Sequence, residues 1–307
     1  MSATFWENPV TVRVPATSAN LGPGFDSLGM ALTLYDEVTA SASSGGTVIE
    51  VEGHGAGEVP LDGSHLVAAT MRRTFEAMNA TPPGIALSCL NRIPHARGLG
   101  SSSAAIVAGA VLARALLVDG DLRITDQELL SLVVEIEGHP DNVAPCLLGG
   151  LVIAWSDDDS ADARAVALPV LDAIEPVVLV PATGVKTELA RSMLPDAVPH
   201  HDAAVNAGRT ALLIDALTRD PATLLPATRD LLHQDQRQGA MPESHALMMR
   251  LRAARVPAAI SGAGPTVIAF LASEEQRASF DQVVAASSGF EEHRLGVDRI
   301  GATIVAG

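Results

Sequence analysis

Residues 94–105 read Pro-His-Ala-Arg-Gly-Leu-Gly-Ser-Ser-Ser-Ala-Ala and join two segments of different character. Before them, residues 84–91 carry partly alternating apolar side chains, which is typical of a strand. After them, residues 104–117 are apolar on nearly every side and rich in alanine and leucine, which predicts a buried helix. Gly98 and Gly100 are therefore expected in a loop that opens directly into a helix.

Such a loop presents unpaired backbone N–H groups and the positive end of a helix dipole, which together form an anion site. Ser101, Ser102 and Ser103 add hydroxyls that can cap the helix, bind a phosphate oxygen or ligate Mg²⁺. On this stretch alone, a phosphate site and a plain serine-capped helix explain the residues equally well.

Composition and charge narrow the class of protein. The 307 residues suffice for two domains, and 48% of them are apolar. No apolar run reaches the ~18 residues that span a bilayer, and residues 1–10 lack the positive charge of a signal peptide. The formal charge of −16 argues against nucleic acid or an anionic membrane as a partner. We therefore expect a soluble cytoplasmic protein.

The chain contains a single lysine, Lys186, so it has no Walker A motif. A bound nucleotide would have to be held by backbone N–H groups, Mg²⁺ and arginines. Cys89 and Cys146 lack the spacing of metal ligands and are expected to be reduced core residues.

Hydrophobic periodicity and turn residues predict mixed α and β elements in both halves. In the first half we expect strands at 11–14, 28–38 and 47–51, the last two forming a hairpin, a turn-rich loop at 15–26, and helices at 65–78 and 125–136. In the second half we expect a strand at 175–181, helices at 187–194 and 201–219, two more helices before 254, a hairpin at 257–271, a helix at 274–286 and a strand at 299–305. The acidic loop 156–162 is predicted to be a solvated boundary between domains.

Three loops rich in glycine and polar residues, at 17–26, 94–104 and 261–265, carry the functional signal together. In this order and spacing they resemble the three motifs of the galactokinase, homoserine kinase, mevalonate kinase and phosphomevalonate kinase (GHMP) superfamily. The third loop reads Ser261-Gly-Ala-Gly-Pro265, in which Ser261, Gly262 and Gly264 match the third glycine motif. The resemblance covers nearly the whole chain and agrees with the absence of a Walker lysine.

Further stretches resemble the homoserine kinase family within that superfamily. They are Ser18-Ala-Asn-Leu-Gly-Pro-Gly-Phe-Asp-Ser-Leu-Gly29, Glu137-Gly-His-Pro-Asp-Asn-Val-Ala-Pro145, Gly149-Gly150, Thr187-Glu-Leu-Ala-Arg191 and Leu232-His-Gln-Asp-Gln-Arg237. The resemblance implies an α+β fold of two domains: a ribosomal-protein-S5-like domain over residues 1–162, which binds ATP, and a ferredoxin-like domain over 163–307. It places the active site between the two, and implies phosphorylation of L-homoserine to O-phospho-L-homoserine in threonine biosynthesis.

The same resemblance assigns the nucleotide and metal sites. ATP would lie on Pro94, His95, Ala96, Arg97, Gly98, Leu99, Gly100, Ser101, Ser102, Ser103 and Ala104. Ser101 and Glu137 would ligate Mg²⁺, whereas Glu135 is expected to be an exposed charge. His65 stands where many homoserine kinases have asparagine, which leaves the adenine contacts open, and Arg97 could reach a phosphate or point to solvent.

The acceptor implied by the family is a zwitterion, which needs an anion for its ammonium and cations for its carboxylate. Asp26 would meet the ammonium, Arg191 and Arg237 on separate helices the carboxylate, and Asn20 and Asn142 the amino or hydroxyl end. Thr187 could face the same site, one helical turn before Arg191.

The catalytic set implied by the resemblance is Asn142, Glu137 and Ser101. The amide of Asn142 cannot accept a proton at neutral pH and could only position the hydroxyl. The adjoining Asp141 is an alternative general base, although the family implies positioning and Mg²⁺ electrostatics without a dedicated base.

Two other functions stay open at this point. One is a GHMP kinase with a mevalonate- or shikimate-type acceptor, and the other is a nucleotide-binding relative that has lost catalysis. The residues leave the oligomeric state open between a monomer and a homodimer.

Overall fold

The computed structural model describes residues 3–156 and 162–305. In chain order its strands are β1 (Val10–Ala19), β2 (Leu28–Ala42), β3 (Thr47–Gly53), β4 (Ile85–Asn91), β5 (Leu151–Ser156), β6 (Ala163–Leu168), β7 (Glu175–Pro181), β8 (Ala258–Ile260), β9 (Val267–Leu271), β10 (Phe290–Arg294) and β11 (Thr303–Val305).

Its α-helices, in the same order, are α1 (Leu66–Ala77), α2 (Ser101–Leu116), α3 (Gly120–Arg123), α4 (Asp126–Glu137), α5 (Pro140–Leu148), α6 (Thr187–Ser192), α7 (His200–Thr218), α8 (Leu224–Ala227), α9 (Pro242–Ala253) and α10 (Glu274–Ala285). Two 3₁₀ turns lie at Pro221–Thr223 and Gln238–Ala240. None of the helices in the described ranges combines the length and apolar character needed to cross a membrane.

A seven-stranded sheet carries the first part of the chain, with β11, β1, β2, β4 and β3 in that order. The long β2 also pairs with β5 through Leu28–Met30, and β5 pairs with β6. Helix α2 packs against β1 and α1, and α5 packs against β1, β2 and β5. The helix predicted after the glycine loop is therefore present, buried, and in contact with the strand that leads to the first motif.

The predicted hairpin of the second and third strands is wrong. β3 pairs in parallel with β4, and β4 lies between it and β2. The connection from β3 to β4 passes through α1, as parallel neighbours require. The side chains explain the order: Leu87 and Cys89 of β4 are buried, whereas Val48 of β3 is half exposed, as suits the edge of the sheet.

β1 is longer than predicted and runs through Ala19, into residues expected to form a loop. A register shift between Pro15 and Ala16 accommodates the proline in its pairing with β2. The helix predicted at 125–136 is confirmed as α4, and Thr125 and Glu128 form the predicted capping box at its start.

A second, antiparallel sheet has the order β10, β7, β9, β8. The hairpin of β8 and β9 is confirmed, while β10 was not predicted. Helix α9 packs on β8 and β9, and α10 contacts α9. The mixed α+β architecture predicted from the sequence is thus observed in both sheets.

The predicted division between residues 162 and 163 falls inside the hairpin of β5 and β6, where Ser156 pairs with Ala163. The chain leaves the first sheet only after Leu168, and β11 returns to it. Residues 157–161, the centre of the predicted acidic linker, lie outside the described residues. Val178 and Phe270 of the second sheet share one apolar core with the first sheet, so the two halves are packed together.

Candidate active site

The glycine loop opens into α2 as predicted, with Gly100 in the left-handed conformation at the helix start (φ 71°). Helical bonding begins when the N–H of Ala104 donates to the carbonyl of Gly100 over 2.8 Å. The N–H groups of Ser101, Ser102 and Ser103 precede that bond and have no partner within the helix. This is the geometry of backbone donors that an anion site at a helix start requires.

Both glycines of the loop are required by close contacts. A Cβ on Gly98 (φ 76°) would lie 2.3 Å from the carbonyl oxygen of Ser261, and one on Gly100 would lie 2.0 Å from Oγ1 of Thr17. These positions cannot accept a side chain without displacement of the first or third motif.

Hydrogen bonds join the three motif loops to one another. The hydroxyl of Ser261 donates to the carbonyl of Gly98 over 2.6 Å, and Nδ2 of Asn20 donates to the carbonyl of Gly262 over 3.0 Å. The N–H of Gly262 donates to the carbonyl of Ala19, again over 3.0 Å. Ser261 and Gly262 therefore hold the first loop against the second.

A cavity of about 250 Å³ lies where these loops meet. It brings together thirteen of the predicted residues: Asn20, Asp26, Ala96, Gly98, Gly100, Ser101, Ser102, Glu137, Asn142, Thr187, Arg191, Arg237 and Gly262. Asp141, named above as an alternative base, also lines it, together with His139 and Ala263, which were not predicted.

The remaining predicted residues do not line this cavity. The side chains of Leu99 and Ala104 are buried in the core, so only their backbone could serve a ligand. Arg97 neither faces a phosphate position nor points to solvent: its guanidinium donates to the carbonyls of His95, Pro181 and Ala182. It thereby joins the glycine loop to the end of β7.

Glu137, at the end of α4, reaches the start of α2. Its Oε1 accepts hydrogen bonds from the hydroxyls of Ser102 (2.9 Å) and Ser103 (2.8 Å). The predicted partner Ser101 lines the same cavity without a direct bond to this carboxylate. A carboxylate and serine hydroxyls beside an anion site are the oxygen ligands that Mg²⁺ takes from proteins, so the residues present fit this ion.

Asn142 is oriented by a residue that sequence reasoning missed. The hydroxyl of Thr17 on β1 donates to Oδ1 of Asn142 on α5 over 2.7 Å. With its oxygen engaged, the amide can present its N–H₂ group to the cavity. No local signal marks this contact, because the two residues are 125 positions apart.

Asp141 is buried, and its Oδ1 lies 2.7 Å from Nδ1 of His139. This hydrogen bond raises the pKa of His139 above its ordinary value. The carboxylate that sequence analysis offered as an alternative base is thus already paired with an imidazole.

Asp26 and Arg191 form a bidentate ion pair across the cavity, with N···O distances of 2.8 and 3.1 Å. Asp26 has φ 54°, and its N–H donates to Oδ1 of Asn20 over 2.9 Å. The predicted anion and cation for a zwitterion therefore face each other, at the expected end of the first motif.

Arg237 is only 2% exposed and lines the cavity from a buried position. It lies in a run of turns before the 3₁₀ turn at Gln238–Ala240, so its predicted placement on an α-helix is wrong. Nε donates to the carbonyl of Ala190, and Nη1 donates to the carbonyl of Gly262. The ring of Phe25 lies 5.3 Å below its guanidinium carbon.

A second cavity, of about 290 Å³, adjoins the first through Ser101 and Ser102. Most of its lining is apolar, including Val14, Val38 and Leu66, and His65 faces it from the start of α1. Burial lowers the pKa of His65, which favours the neutral ring. An apolar cavity beside the glycine loop has the character that suits the flat base of a nucleotide.

Known proteins with similar sequences belong to the family that the three motif loops resemble. The family model described as "GHMP kinases N terminal domain" matches residues 65–150. The chain is 54% identical over 297 residues to the homoserine kinase of Streptomyces avermitilis, covering 96% of this chain and 95% of that protein. It is 48% identical to the homoserine kinase of Clavibacter michiganensis, covering 96% and 93% of the two chains.

Solved structures agree at the level of the fold. The crystal structure of homoserine kinase from Cytophaga hutchinsonii superposes with a TM-score of 0.84, at 27% identity and over 98% of this chain and 99% of that one. Mevalonate diphosphate decarboxylase of Enterococcus faecalis shares the fold alone, with a TM-score of 0.69 at 13% identity, over 97% and 99% of the two chains.

The motif loops, the sheet order and the likeness to whole relatives agree with one another, and the chain belongs to the homoserine kinase family of the GHMP kinases.

Proposed function

We propose that the chain transfers a phosphoryl group from ATP to the side-chain hydroxyl of L-homoserine, giving O-phospho-L-homoserine for threonine biosynthesis. One observation carries this proposal: the Asp26–Arg191 ion pair lies in the same cavity as the free N–H groups at the start of α2. A pair of opposite charges that faces a phosphate site matches a small zwitterionic acceptor.

The nucleotide would occupy both cavities. Its base would lie among the apolar residues around Val38 and Leu66, and its phosphates would reach Ser101 and Ser102, which line both spaces. The N–H groups of Ser101 to Ser103 would bind phosphate oxygens and the helix dipole would favour their charge. This arrangement replaces the lysine that a Walker A motif would supply.

Mg²⁺ would be held by Glu137 and a serine hydroxyl of the loop, with phosphate oxygens completing the ligands. Ser101 is the predicted hydroxyl, and Ser102 and Ser103 already contact the carboxylate. When bound, the ion would neutralise negative charge on the transferring group. In a chain of charge −16, that neutralisation must come from such local features.

Homoserine would exchange partners with the resident ion pair. Its ammonium would bind Asp26, and its carboxylate would bind Arg191 and Arg237. Both members of the Asp26–Arg191 pair would therefore keep an opposite charge beside them. An uncharged or purely anionic acceptor would leave Asp26 beside a ligand that cannot pair with it. This reasoning disfavours mevalonate- and shikimate-type acceptors.

Asn142 would position the acceptor hydroxyl with the N–H₂ group that Thr17 leaves free. Because Asp141 is bonded to His139, and because an amide cannot take a proton, we propose that positioning and charge neutralisation carry the reaction. The acceptor oxygen would form its bond to phosphorus as the bond to the ADP oxygen breaks, and the hydroxyl proton would pass to solvent water.

A coupled assay of ADP release tests this function. The enzyme, ATP and Mg²⁺ would be mixed with homoserine, threonine, serine, mevalonate or shikimate, and product would be checked by mass spectrometry. We expect turnover with homoserine at the highest kcat/KM of the panel. No release of ADP with homoserine would overturn the acceptor assignment, and no release with any acceptor would point to an inactive relative.

A further inference from the structure

The motif around Arg237 contains a buried histidine, His233, that contributes to neither the nucleotide nor the metal site. Its side chain is 0% exposed and lies between two fixed partners. Nε2 is 2.7 Å from the carbonyl oxygen of Gly22, and Nδ1 is 3.2 Å from Nη1 of Arg237. The ring also stacks on Phe25, with centroids 5.0 Å apart.

These two partners settle where the ring proton lies. A carbonyl oxygen can only accept a hydrogen bond, so Nε2 must carry the hydrogen. A guanidinium can only donate, so Nδ1 must be bare. His233 is therefore neutral, and a second proton would place an N–H of the ring against an N–H of Arg237.

His233 is itself held rigidly. One carboxylate, that of Asp230, accepts from the N–H groups of Leu232, His233 and Gln234 over 2.8–3.0 Å. The bond to Gly22 then joins this turn to the first motif loop, three residues before Phe25 and four before Asp26. The ring thus lies between the loop that carries the predicted ammonium site and an arginine of the predicted carboxylate site.

We propose that His233 is a positioning residue that aims the guanidinium of Arg237 at the acceptor carboxylate through the bare Nδ1 of its neutral ring. This inference rests on the proposed binding of homoserine. Three carbonyl or imidazole acceptors, on Ala190, Gly262 and His233, hold Nε and Nη1 of Arg237, and Nη2 is the nitrogen left to meet a ligand. Removal of the imidazole acceptor leaves a buried N–H of Nη1 without this partner and weakens the hold on the guanidinium, which then keeps only the two carbonyls.

The charged groups that face the ring predict a dependence on pH. Burial lowers the pKa of His233, and the positive charge of Arg237 lowers it further, while Asp230 and Asp26 act in the opposite direction. The ring therefore stays neutral at neutral pH and takes up a proton only below the ordinary histidine range. In that acid range the contact to Arg237 is lost, so the KM for homoserine should rise.

Two variants separate positioning from mere packing. His233→Phe keeps a ring against Phe25 but removes both nitrogens, and we expect KM for homoserine to rise ten- to a hundredfold with KM for ATP within about twofold. His233→Asn places an amide oxygen near the position of Nδ1, and should restore KM for homoserine to within about fivefold of the parent. Since it does not titrate, the asparagine variant should also lose the rise of KM that the parent shows on the acid side of the ordinary histidine range.

His245→Asn is the matched control, because His245 is also largely buried but bonds to the carboxylate of Asp235 at 2.7 Å. It should leave both KM values unchanged. In a background of Arg237→Ala, His233→Phe should raise KM for homoserine no further, because His233 acts through the guanidinium of Arg237.

The proposal is overturned if His233→Phe raises both KM values equally, if its effect adds fully to that of Arg237→Ala, or if His233→Asn keeps the acid rise of the parent. Should the phenylalanine variant fail to fold, the pH profile of the asparagine variant decides. Failure of the proposed function would look different, because the parent enzyme itself would release no ADP with homoserine.

Discussion

The hydroxyl of Thr17 and the amide oxygen of Asn142 are 2.7 Å apart, and the backbone of Gly100 passes directly beside both. One strand residue thereby orients the amide proposed to hold the acceptor and contacts the loop proposed to hold the nucleotide. We expect Thr17→Val, which keeps the shape but removes the donor, to lower kcat about tenfold, the effect of losing ~1–1.5 kcal/mol of a buried hydrogen bond.

Steady-state kinetics with homoserine and ATP would measure this effect, and Thr11→Val serves as its control. Thr11 lies on the same strand, and its hydroxyl is bonded to Thr39 rather than to a site residue. Equal kcat in Thr17→Val and Thr11→Val would contradict the orienting role.

Gly100→Ala should abolish most activity, because the new Cβ would lie 2.0 Å from Oγ1 of Thr17. Gly57 provides the control: it has a similar φ of 77°, yet a Cβ there would meet nothing within 4 Å. Both variants carry the backbone strain of ~1 kcal/mol for a left-handed residue. We expect kcat/KM to fall more than a hundredfold in Gly100→Ala and to stay near the parent value in Gly57→Ala. Circular dichroism should show the lower melting temperature for Gly100→Ala, because only there does a steric clash add to the backbone strain.

Arg191→Lys should raise KM for homoserine by roughly ten- to a hundredfold, because a point charge replaces the bidentate fork that faces Asp26. KM for ATP should change little. Arg73→Lys alters an exposed pair with Glu135 and should leave both values as they were. A uniform rise of both KM values in Arg191→Lys would indicate a distorted cavity instead of a lost carboxylate contact.

Glu137→Gln retains an oxygen that can accept from Ser102 and Ser103 but loses the charge expected to hold Mg²⁺. The Mg²⁺ concentration for half-maximal activity should rise at least tenfold at fixed ATP. Glu135→Gln, two residues earlier and exposed, should need the same Mg²⁺ concentration for half-maximal activity as the parent. If the two glutamine variants reach half-maximal activity at the same Mg²⁺ concentration, Glu137 is not a ligand of the ion.

Asp36 should make stability depend on pH. Burial raises its pKa to about 6, although its Oδ1 accepts from the N–H groups of Arg92 and Ile93. Between about pH 4 and pH 6 the unfolded chain has lost this proton and the folded chain still holds it, so stability falls as the pH rises. The difference between the folded and the unfolded pKa of Asp36 corresponds to a loss of roughly 2–3 kcal/mol in the free energy of unfolding over this pH range.

Asp36→Asn resembles the protonated acid in shape and charge, and it removes the pH dependence of stability that Asp36 causes. Relative to the parent, the variant should gain stability from pH 4 to pH 7, as measured by urea unfolding at each pH. A difference between variant and parent that stays constant across this range would mean that Asp36 titrates normally.

Local signals were sufficient for the elements that the sequence predicted correctly. The glycine loop followed by small residues specified α2, and the capping box of Thr125 and Glu128 specified the start of α4. The hairpin of β8 and β9 followed from its tight turn. In each case the determining residues are neighbours in the chain.

Contacts between distant segments could not be predicted in this way. The parallel pairing of β3 with β4 depends on which strand lies at the edge of the sheet, and the contact of Thr17 with Asn142 depends on the packing of α5 against β1. The direction of the Arg97 side chain could not be predicted, because two of its three carbonyl partners lie at the end of β7, far away in the chain. His233 lay within a matching motif, but its role requires the position of Gly22, 211 residues away.

The pairing of β11 with β1 links the two ends of the described chain, with Arg13 opposite Thr303 and Thr11 opposite Val305. During synthesis, β1 must therefore wait for the last strand before its outer edge is covered. Until then the nascent protein carries an open strand edge that another chain could pair with. Closure of this edge is consequently a late event of high contact order, and the chain is open to aggregation at β1 until it occurs.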